Sequence, residues 1–240
     1  MITLAFDTAT DRCSVAASDG HRVAHRHIDG ARKHATSILS LVDDVLRECN
    51  ATARDVTLLL SGDGPGSFTG LRVASAVAKG LAWRRDLHWF TAPSLLIRAA
   101  AHTVAGGSTV LALSDALRGE VYAGCWRLGS DGVVPVGPAP RAMMPALLTQ
   151  HFGPVDTVVG TVPSGLLEAI ESRTGRSVIV GEQALPDART LIALHGLAGG
   201  TVQVKDPGSW EPTYGRPAEA QAVWERTHGR PLPPAPGISR

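Results

Sequence analysis

The run Ser61-Gly62-Asp63-Gly64-Pro65-Gly66-Ser67-Phe68-Thr69-Gly70-Leu71-Arg72 holds the densest set of groups that could do chemistry. It joins an apolar strand pattern over 56–61 to a helical pattern over 71–83, the junction at which α/β proteins hold anions on helix N-terminal amides. A phosphate loop would place Gly-Lys-Ser or Gly-Lys-Thr here, and a dinucleotide loop has its own glycine spacing. Neither is present. The alternative is a tight turn in which glycine supplies unusual backbone angles, Pro65 stiffens the chain and Ser67 or Thr69 caps the helix. A second candidate is Asp7-Thr8-Ala9-Thr10, at the end of the opening strand, where Asp7, Thr8 and Thr10 could form a residual nucleotide site. Its later counterpart, Asp115-Ala116-Leu117-Arg118, lacks the glycines that let backbone amides close on a phosphate, so such a clamp is half built. Asp7 and Asp115 would otherwise cap their own turns.

Two further constellations are weaker. His21 and His25 have the four-residue spacing of a metal pair, but that works only on a helix; on a strand they lie about 13 Å apart. The preceding Asp19-Gly20 turn signal predicts a strand, so with His27 they read as a solvent-facing His/Arg edge and no metal site is expected. Ser67, His34 and Asp7 could be drawn as a hydrolase triad. Ser67 lies outside a Gly-x-Ser-x-Gly elbow, however, because Thr69 stands two residues after it, and a lone His at a helix start is usually a capping or surface residue.

The elements that must position these groups are α/β in pattern. Strands are expected over 2–6, 13–18 and 21–28, an amphipathic helix over 31–49, then the strand and helix around the glycine loop. The order restarts near residue 108, where Val110-Leu111-Ala112-Leu113-Ser114-Asp115 echoes Leu4-Ala5-Phe6-Asp7, with further strands over 120–126 and 133–136. Helices over 142–151, 164–172 and 188–197 and short strands over 155–159 and 178–180 complete a degenerate second copy, broken at Gly129, Gly132, Pro138 and Pro140. The tail 231–240 is Pro-rich and expected to be a mobile end. With 44% hydrophobic residues in 240, the chain can bury a substantial core. A formal net charge of +1 gives little general attraction for a phosphate backbone, so any service to a nucleic acid calls for a partner. Three scattered cysteines suggest neither a disulfide framework nor a zinc knot, and no apolar stretch reaches the roughly 18 residues of a membrane span. A reducing cytoplasm is expected, with no membrane association and no export.

Gly64-Pro65-Gly66-Ser67-Phe68-Thr69-Gly70-Leu71-Arg72 resembles the signature of the TsaB family, once called YeaZ or glycoprotease-like. The similarity extends to Asp7-Thr8-Ala9-Thr10, Cys13-Ser14-Val15-Ala16, the helix near His34, Ala78-Lys79-Gly80-Leu81-Ala82, Pro93-Ser94-Leu95, Asp115-Ala116 with Gly119-Glu120-Val121-Tyr122, and Pro212-Thr213-Tyr214-Gly215-Arg216-Pro217-Ala218-Glu219-Ala220. Where the family commonly has Leu before Arg216, this chain has Gly215. The resemblance implies two RNase H-like lobes of the actin and Hsp70 kind, here 1–107 and 108–230. It also implies a non-catalytic scaffold supporting a TsaD-like subunit that threonylcarbamoylates the tRNA adenosine beside the anticodon. No cofactor would be intrinsic, ATP and metal belonging to partner subunits that include a TsaE-like ATPase. Contact with tRNA would come mainly through the complex, although Arg84-Arg85 and the His21 to His27 segment could add local contacts. The rival is a stand-alone actin-like ATPase or kinase, and a peptidase is a third reading.

The helix after the glycine loop bears on partnership independently. Leu71, Ala74, Ala78 and Leu81 form one apolar stripe, while Val73, Ala76, Val77 and Gly80 form a second, so two covers are needed unless the helix is buried within its own fold. Ile38, Leu41, Val42 and Val45 on the preceding helix could join that second face. The resemblance implies that this lobe pairs with the TsaD-like subunit or, when alone, with a second copy of itself.

Overall fold

The alternating apolar pattern at the start folds as an antiparallel meander of β1 (Ile2–Asp7), β2 (Arg12–Ser18) and β3 (Val23–Asp29). β1 and β2 are apolar on both faces because helices cover both sides. The computed structural model describes residues 1–30, 33–103, 107–215 and 227–229; the Pro-rich tail 231–240 and the run 216–220 lie outside the described residues. α1 (His34–Glu48) leads to β4 (Val56–Gly62), α2 (Phe68–Ala82), β5 (His88–Ala92) and α3 (Ser94–Ala100), with β4 and β5 parallel to β1 and to each other. The plan then repeats through β6 (Ser108–Asp115), β7 (Val121–Gly129), β8 (Gly132–Met143), α4 (Leu148–Phe152), β9 (Thr157–Thr161), α5 (Ser164–Thr174) and β10 (Val178–Ile179). α6 (Ala188–His195) and β11 (Val202–Gln203) follow.

The strand orders are β11-β5-β4-β1-β2-β3 and β10-β9-β6-β7-β8. Apart from β11 they are the same order, so the echo between the two halves of the sequence is a duplicated RNase H-like lobe. The lobes exchange helices. α3, from the first half, packs on β6, β7 and β9, while α6, from the second, packs on β1, β2 and β4. These two helices form a shared middle layer whose core joins Ala5 and Leu60 to Ala112, Trp126 and Leu191. β11 and the segment 204–215 also return to the first lobe, although they fall within the range 108–230 read as the second.

Three sequence expectations need correction. The second copy's third strand does not stop at Val136 but runs to Met143, carrying Pro135, Pro138 and Pro140. Among the described residues β8 pairs only with β7, so its outer edge tolerates prolines, and its register shifts where Gly124 lies opposite the proline-rich stretch. Helix 142–151 is accordingly only Leu148–Phe152, preceded by a single 3-10 turn at Pro145–Leu147. Neither β5 nor α3 was anticipated. α3 is buried all round at Leu95, Leu96, Ile97 and Ala99, and so shows no helical periodicity to read. Because α3 belongs to the core of both lobes, Ile97→Ala is expected to cost about 2–5 kcal/mol and to weaken both together. Urea unfolding followed by tryptophan fluorescence and by far-UV circular dichroism should move as one transition; two separated transitions would show that the lobes are independent.

Candidate functional site

The end of β1 and the glycine loop form one closed unit. Asp7, at the last position of β1, has no exposed surface. Its Oδ1 accepts the Ala9 N–H at 3.0 Å and its Oδ2 accepts the Ser94 hydroxyl at 2.5 Å, while Ser94 Oγ itself accepts the Gly64 N–H at 3.1 Å. The loop rests directly on this turn. A Cβ on Gly62 would overlap Asp7 Oδ2, one on Gly66 would overlap the Ala9 carbonyl, and one on Gly70 the Thr8 carbonyl. Backbone hydrogen bonds complete the closure: Ser67 N–H donates to Ala9 O at 2.7 Å, and Thr8 Oγ1 donates to Gly70 O at 2.7 Å. The glycines thus bring backbone against backbone, and between the two open readings of this loop the geometry favours the tight turn. Asp7, Thr8 and Thr10 all have internal partners, Thr10 Oγ1 accepting from the Arg12 N–H at 3.2 Å.

Below the loop, α3 delivers a cation. Arg98 is 2% exposed and donates through Nη1 to the Leu113 carbonyl of β6. Burial draws its pKa down to about 10, opposed by the nearby Asp7 charge. Burial pushes the Asp7 carboxyl up, while Ser94, the Ala9 amide, Arg98 and His34 pull it back. Asp63 is only part-buried by surface area, yet the protein around it, and then the Asp7 charge, push its carboxyl up to about 7 against a hydrogen bond with Thr91.

The remaining signature residues divide by direction. Gly64, Pro65, Gly70 and Leu71 are buried, and Ser67 Oγ caps α2 by accepting the Gly70 N–H at 3.2 Å. Phe68, Thr69 and Arg72 face outward, with the Arg72 guanidinium 5.4 Å from the centre of the Phe68 ring. Tyr214 packs on Phe68 at 4.9 Å between centroids, which places the Pro212-Thr213-Tyr214-Gly215 landmark on the first lobe, with Gly215 also against Tyr122 of the second. Thr213 N–H donates to Asp63 O at 2.7 Å. Gly215 has φ +71°, and a Cβ there would press on Pro65 and Tyr122, which explains why this chain has no Leu at that position.

Other expectations fare differently. His34 is neither a capping nor a surface residue but 1% exposed, its Nε2 donating to the Asp11 carbonyl at 3.0 Å. Ser67, His34 and Asp7 each bond to something other than one another, so no triad is assembled. His25 is not solvent-facing: it turns inward to Ser14 Oγ at 3.0 Å and Asp187 at 3.5 Å, with the His27 ring 5.6 Å away. Among the described residues no group of three or more His, Cys, Asp or Glu could hold a metal. Arg85 is bound to the carbonyls of Ala53, Arg54, Leu81 and Val56, leaving only Arg84 of that pair open. The missing glycines of 115–118 did not prevent a left-handed turn, since Leu117 and Arg118 take φ of 63° and 56° themselves.

For the pairing face, Ile38, Val42 and Val45 are buried in the first-lobe core and unavailable to a partner. Leu41, Val73 and Val77 are part-buried against that core, whereas Ala76 and Gly80 are open. The exposed line on α2 runs Phe68, Arg72, Ala76, Gly80 and, just beyond the helix, Trp83, which is 74% exposed. Sequence reading gave no role to Trp83, Ser94 or Arg98 and did not place the segment 204–215 against the first lobe. The one available signal was the Pro93-Ser94 pair at a helix start.

Two duplicated RNase H-like lobes sharing crossed helices, with the strand-end turn shut by the chain's own loop, define an α/β protein of the actin and Hsp70 class. Residues 28–133 match the family model described as TsaD: tRNA N6-adenosine threonylcarbamoyltransferase. The tRNA threonylcarbamoyladenosine biosynthesis protein TsaB of Escherichia coli is 32% identical over 81% of this chain and 85% of its own length; that of Bacillus subtilis is 28% identical over 92% and 97%. The solved structure of YeaZ from Pseudomonas aeruginosa superposes with a TM-score of 0.73 at 30% identity, covering 89% of this chain and 99% of that one. The chain belongs to the TsaB family.

Closure of the loop sets the first test here. Gly66→Ala should destabilise by about 1–3 kcal/mol through overlap with Ala9 O. Gly165→Ala, on α5 with open space around it, should be neutral or stabilise by up to about 1 kcal/mol. Chemical denaturation of both variants checks the contrast, and equal effects would contradict it.

Proposed function

We propose that this chain is the non-catalytic pairing subunit in tRNA threonylcarbamoyladenosine biosynthesis, supporting a TsaD-like catalytic subunit and helping to form the site of a TsaE-like ATPase. The observation that carries it is the open face of α2. A helix already packed inward through Leu71, Ala74 and Ala78 presents Ala76 and Gly80 outward, small residues that allow another helix to approach closely. Phe68 and Trp83 stand at either end of that face, and the 61% exposed Leu39 of the neighbouring α1 adds apolar surface. Free chain would pair with itself through the same surface.

The absence of catalysis is supported by the engagement of Asp7, Thr8 and Ser67 in internal hydrogen bonds and by the burial of His34, whose Nε2 is held by the Asp11 carbonyl, so that no nucleophile–base pair is assembled among these residues. No intrinsic cofactor is assigned, and ATP and metal are assigned to the partner subunits. Contact with tRNA is made mainly through the complex, in the cytoplasm. Among the described residues no helix is long and apolar enough to cross a membrane.

Ala76→Arg should leave the melting temperature within a few degrees of wild type while abolishing association with a TsaD-like subunit and with itself, read by analytical ultracentrifugation. Val73 is part-buried, so Val73→Arg would disturb the fold as well and is the poorer probe. Retained association of Ala76→Arg, or unchanged tRNA threonylcarbamoyladenosine after depletion of the chain in its source organism, would remove the reading.

A further inference from the structure

We propose that Trp83 anchors self-association: in an antiparallel two-fold pair it packs on the platform of Phe68, Arg72 and Tyr214 on a second copy, and that copy returns the contact. This deepens the pairing reading and rests on it. The fold holds Trp83 out in water. Trp89 and Trp126 are buried and Trp210 lies part-buried on Trp89, whereas Trp83 is 74% exposed. Its mount at the end of α2 is rigid. Arg84 takes a left-handed φ of 53°, which is costly for a residue with a side chain. Arg85 donates to the carbonyls of Ala53, Arg54, Leu81 and Val56 at 2.9–3.2 Å, and its N–H returns to Ala82 O at 3.2 Å. An indole presented on a fixed backbone loses little freedom when a second surface covers it.

The other end of the same helix carries what such a ring needs. Phe68 is 44% exposed, Tyr214 packs on it at 4.9 Å, and the Arg72 guanidinium lies 5.4 Å from its centre. Two rings and a cation make a surface suited to an indole, whose face is the best aromatic partner for a guanidinium. The spacing makes this line complementary to itself. Phe68 stands eight residues before Ala76 and Trp83 seven after it, which at the helical rise is about 12 Å and about 10 Å. A two-fold axis at Ala76 therefore sets Trp83 of each copy between Arg72 and Phe68 of the other, and the symmetry makes the contact twice. In this register Arg72 lies opposite Gly80. A Cβ on Gly80 would meet no atom of its own chain within 4 Å, so the fold does not call for a glycine at this mid-helix position. The close approach of a second helix does.

Trp83→Ala and Phe68→Ala should each weaken self-association of the full chain about thirtyfold, read by sedimentation equilibrium. The deciding measurement mixes the two variants. Either variant alone has both contacts broken, whereas the mixed pair keeps one contact of Trp83 with Phe68 whole. Mixing should therefore give a heterodimer about fivefold tighter than either homodimer. A mixed pair no tighter than the tighter homodimer overturns the proposal. Should Phe68→Ala disturb the segment packed on it, Gly80→Leu decides: with open space around it in its own chain it should melt no lower than wild type and lose self-association, and unchanged self-association refutes the register. Wild-type chain that pairs, loses pairing in Ala76→Arg and shows no gain on mixing would sink the register and leave the pairing reading standing. Wild-type chain that stays monomeric yet binds a TsaD-like subunit overturns the self-association alone; failure to pair with either removes both.

Discussion

A fully buried carboxylate at the end of β1 is the constraint around which the molecule is arranged. Burial pushes the Asp7 carboxyl towards its neutral form, and such a group is tolerable out of water only if each oxygen is hydrogen-bonded and its charge can be offset by a nearby cation. The Ala9 amide, the Ser94 hydroxyl and the Arg98 guanidinium meet those needs, and two of the three come from α3. α3 must therefore pass beneath the loop, and the loop must lie flat enough for Gly64 N–H to reach Ser94. Side chains at positions 62, 66 and 70 would prevent this. The glycines that look like a phosphate cradle in the sequence are explained by the packing of one backbone on another.

The same helix accounts for how the lobes are joined. Arg98, whose charge acts on Asp7, donates to Leu113 near the end of β6, so a side chain from the first half is anchored on the equivalent strand of the second. On the other flank, Arg12 pairs with Asp29 beside it and with Glu182 from the second half, and Ser14 accepts the Ala188 N–H at the start of α6. Kinases and ATPases that cycle by hinge closure need an interface that can open around a ligand. Here the middle is a continuous apolar layer of exchanged helices with polar ties at both margins, and opening it would expose Leu95, Ile97 and Leu191 together.

Much of this was legible in the residues, and unevenly so. Strands β1, β2 and β4 and helices α1 and α2 show clear periodicity because each has one uniform environment per face. The duplication was visible because both copies end an apolar strand in Asp. α3 escaped because complete burial erases periodicity, and β8 because edge strands accept prolines that argue against a strand elsewhere. At the site, the loop string was evident but its direction was not: that Asp7 faces inward depends on Ser94 and Arg98, which lie 87 and 91 positions further along the chain. The apolar spacing of α1 was correctly periodic and wrongly assigned. Ile38, Val42 and Val45 meet the chain's own sheet, and only residues beside that stripe, such as Leu39, are left outside.

Closure of the loop and exposure of α2 are linked outcomes of one packing. Once Ser67 caps the helix and Thr8 takes the Gly70 carbonyl, the first turn of α2 is pinned to the β1 end, and its rotation about its own axis is set. With Leu71, Ala74 and Ala78 directed inward, the line through Ala76 and Gly80 has to point outward. The returning segment 204–215 meets α2 at Lys79 and at Phe68, where Tyr214 rests on one end of that line, while Ala76 and Gly80 stay exposed. The internal use of the polar groups at the loop and the availability of a smooth apolar helix face thus follow from a single orientation of α2. A substitution that freed Asp7 for chemistry would also unpin α2 from the end of β1.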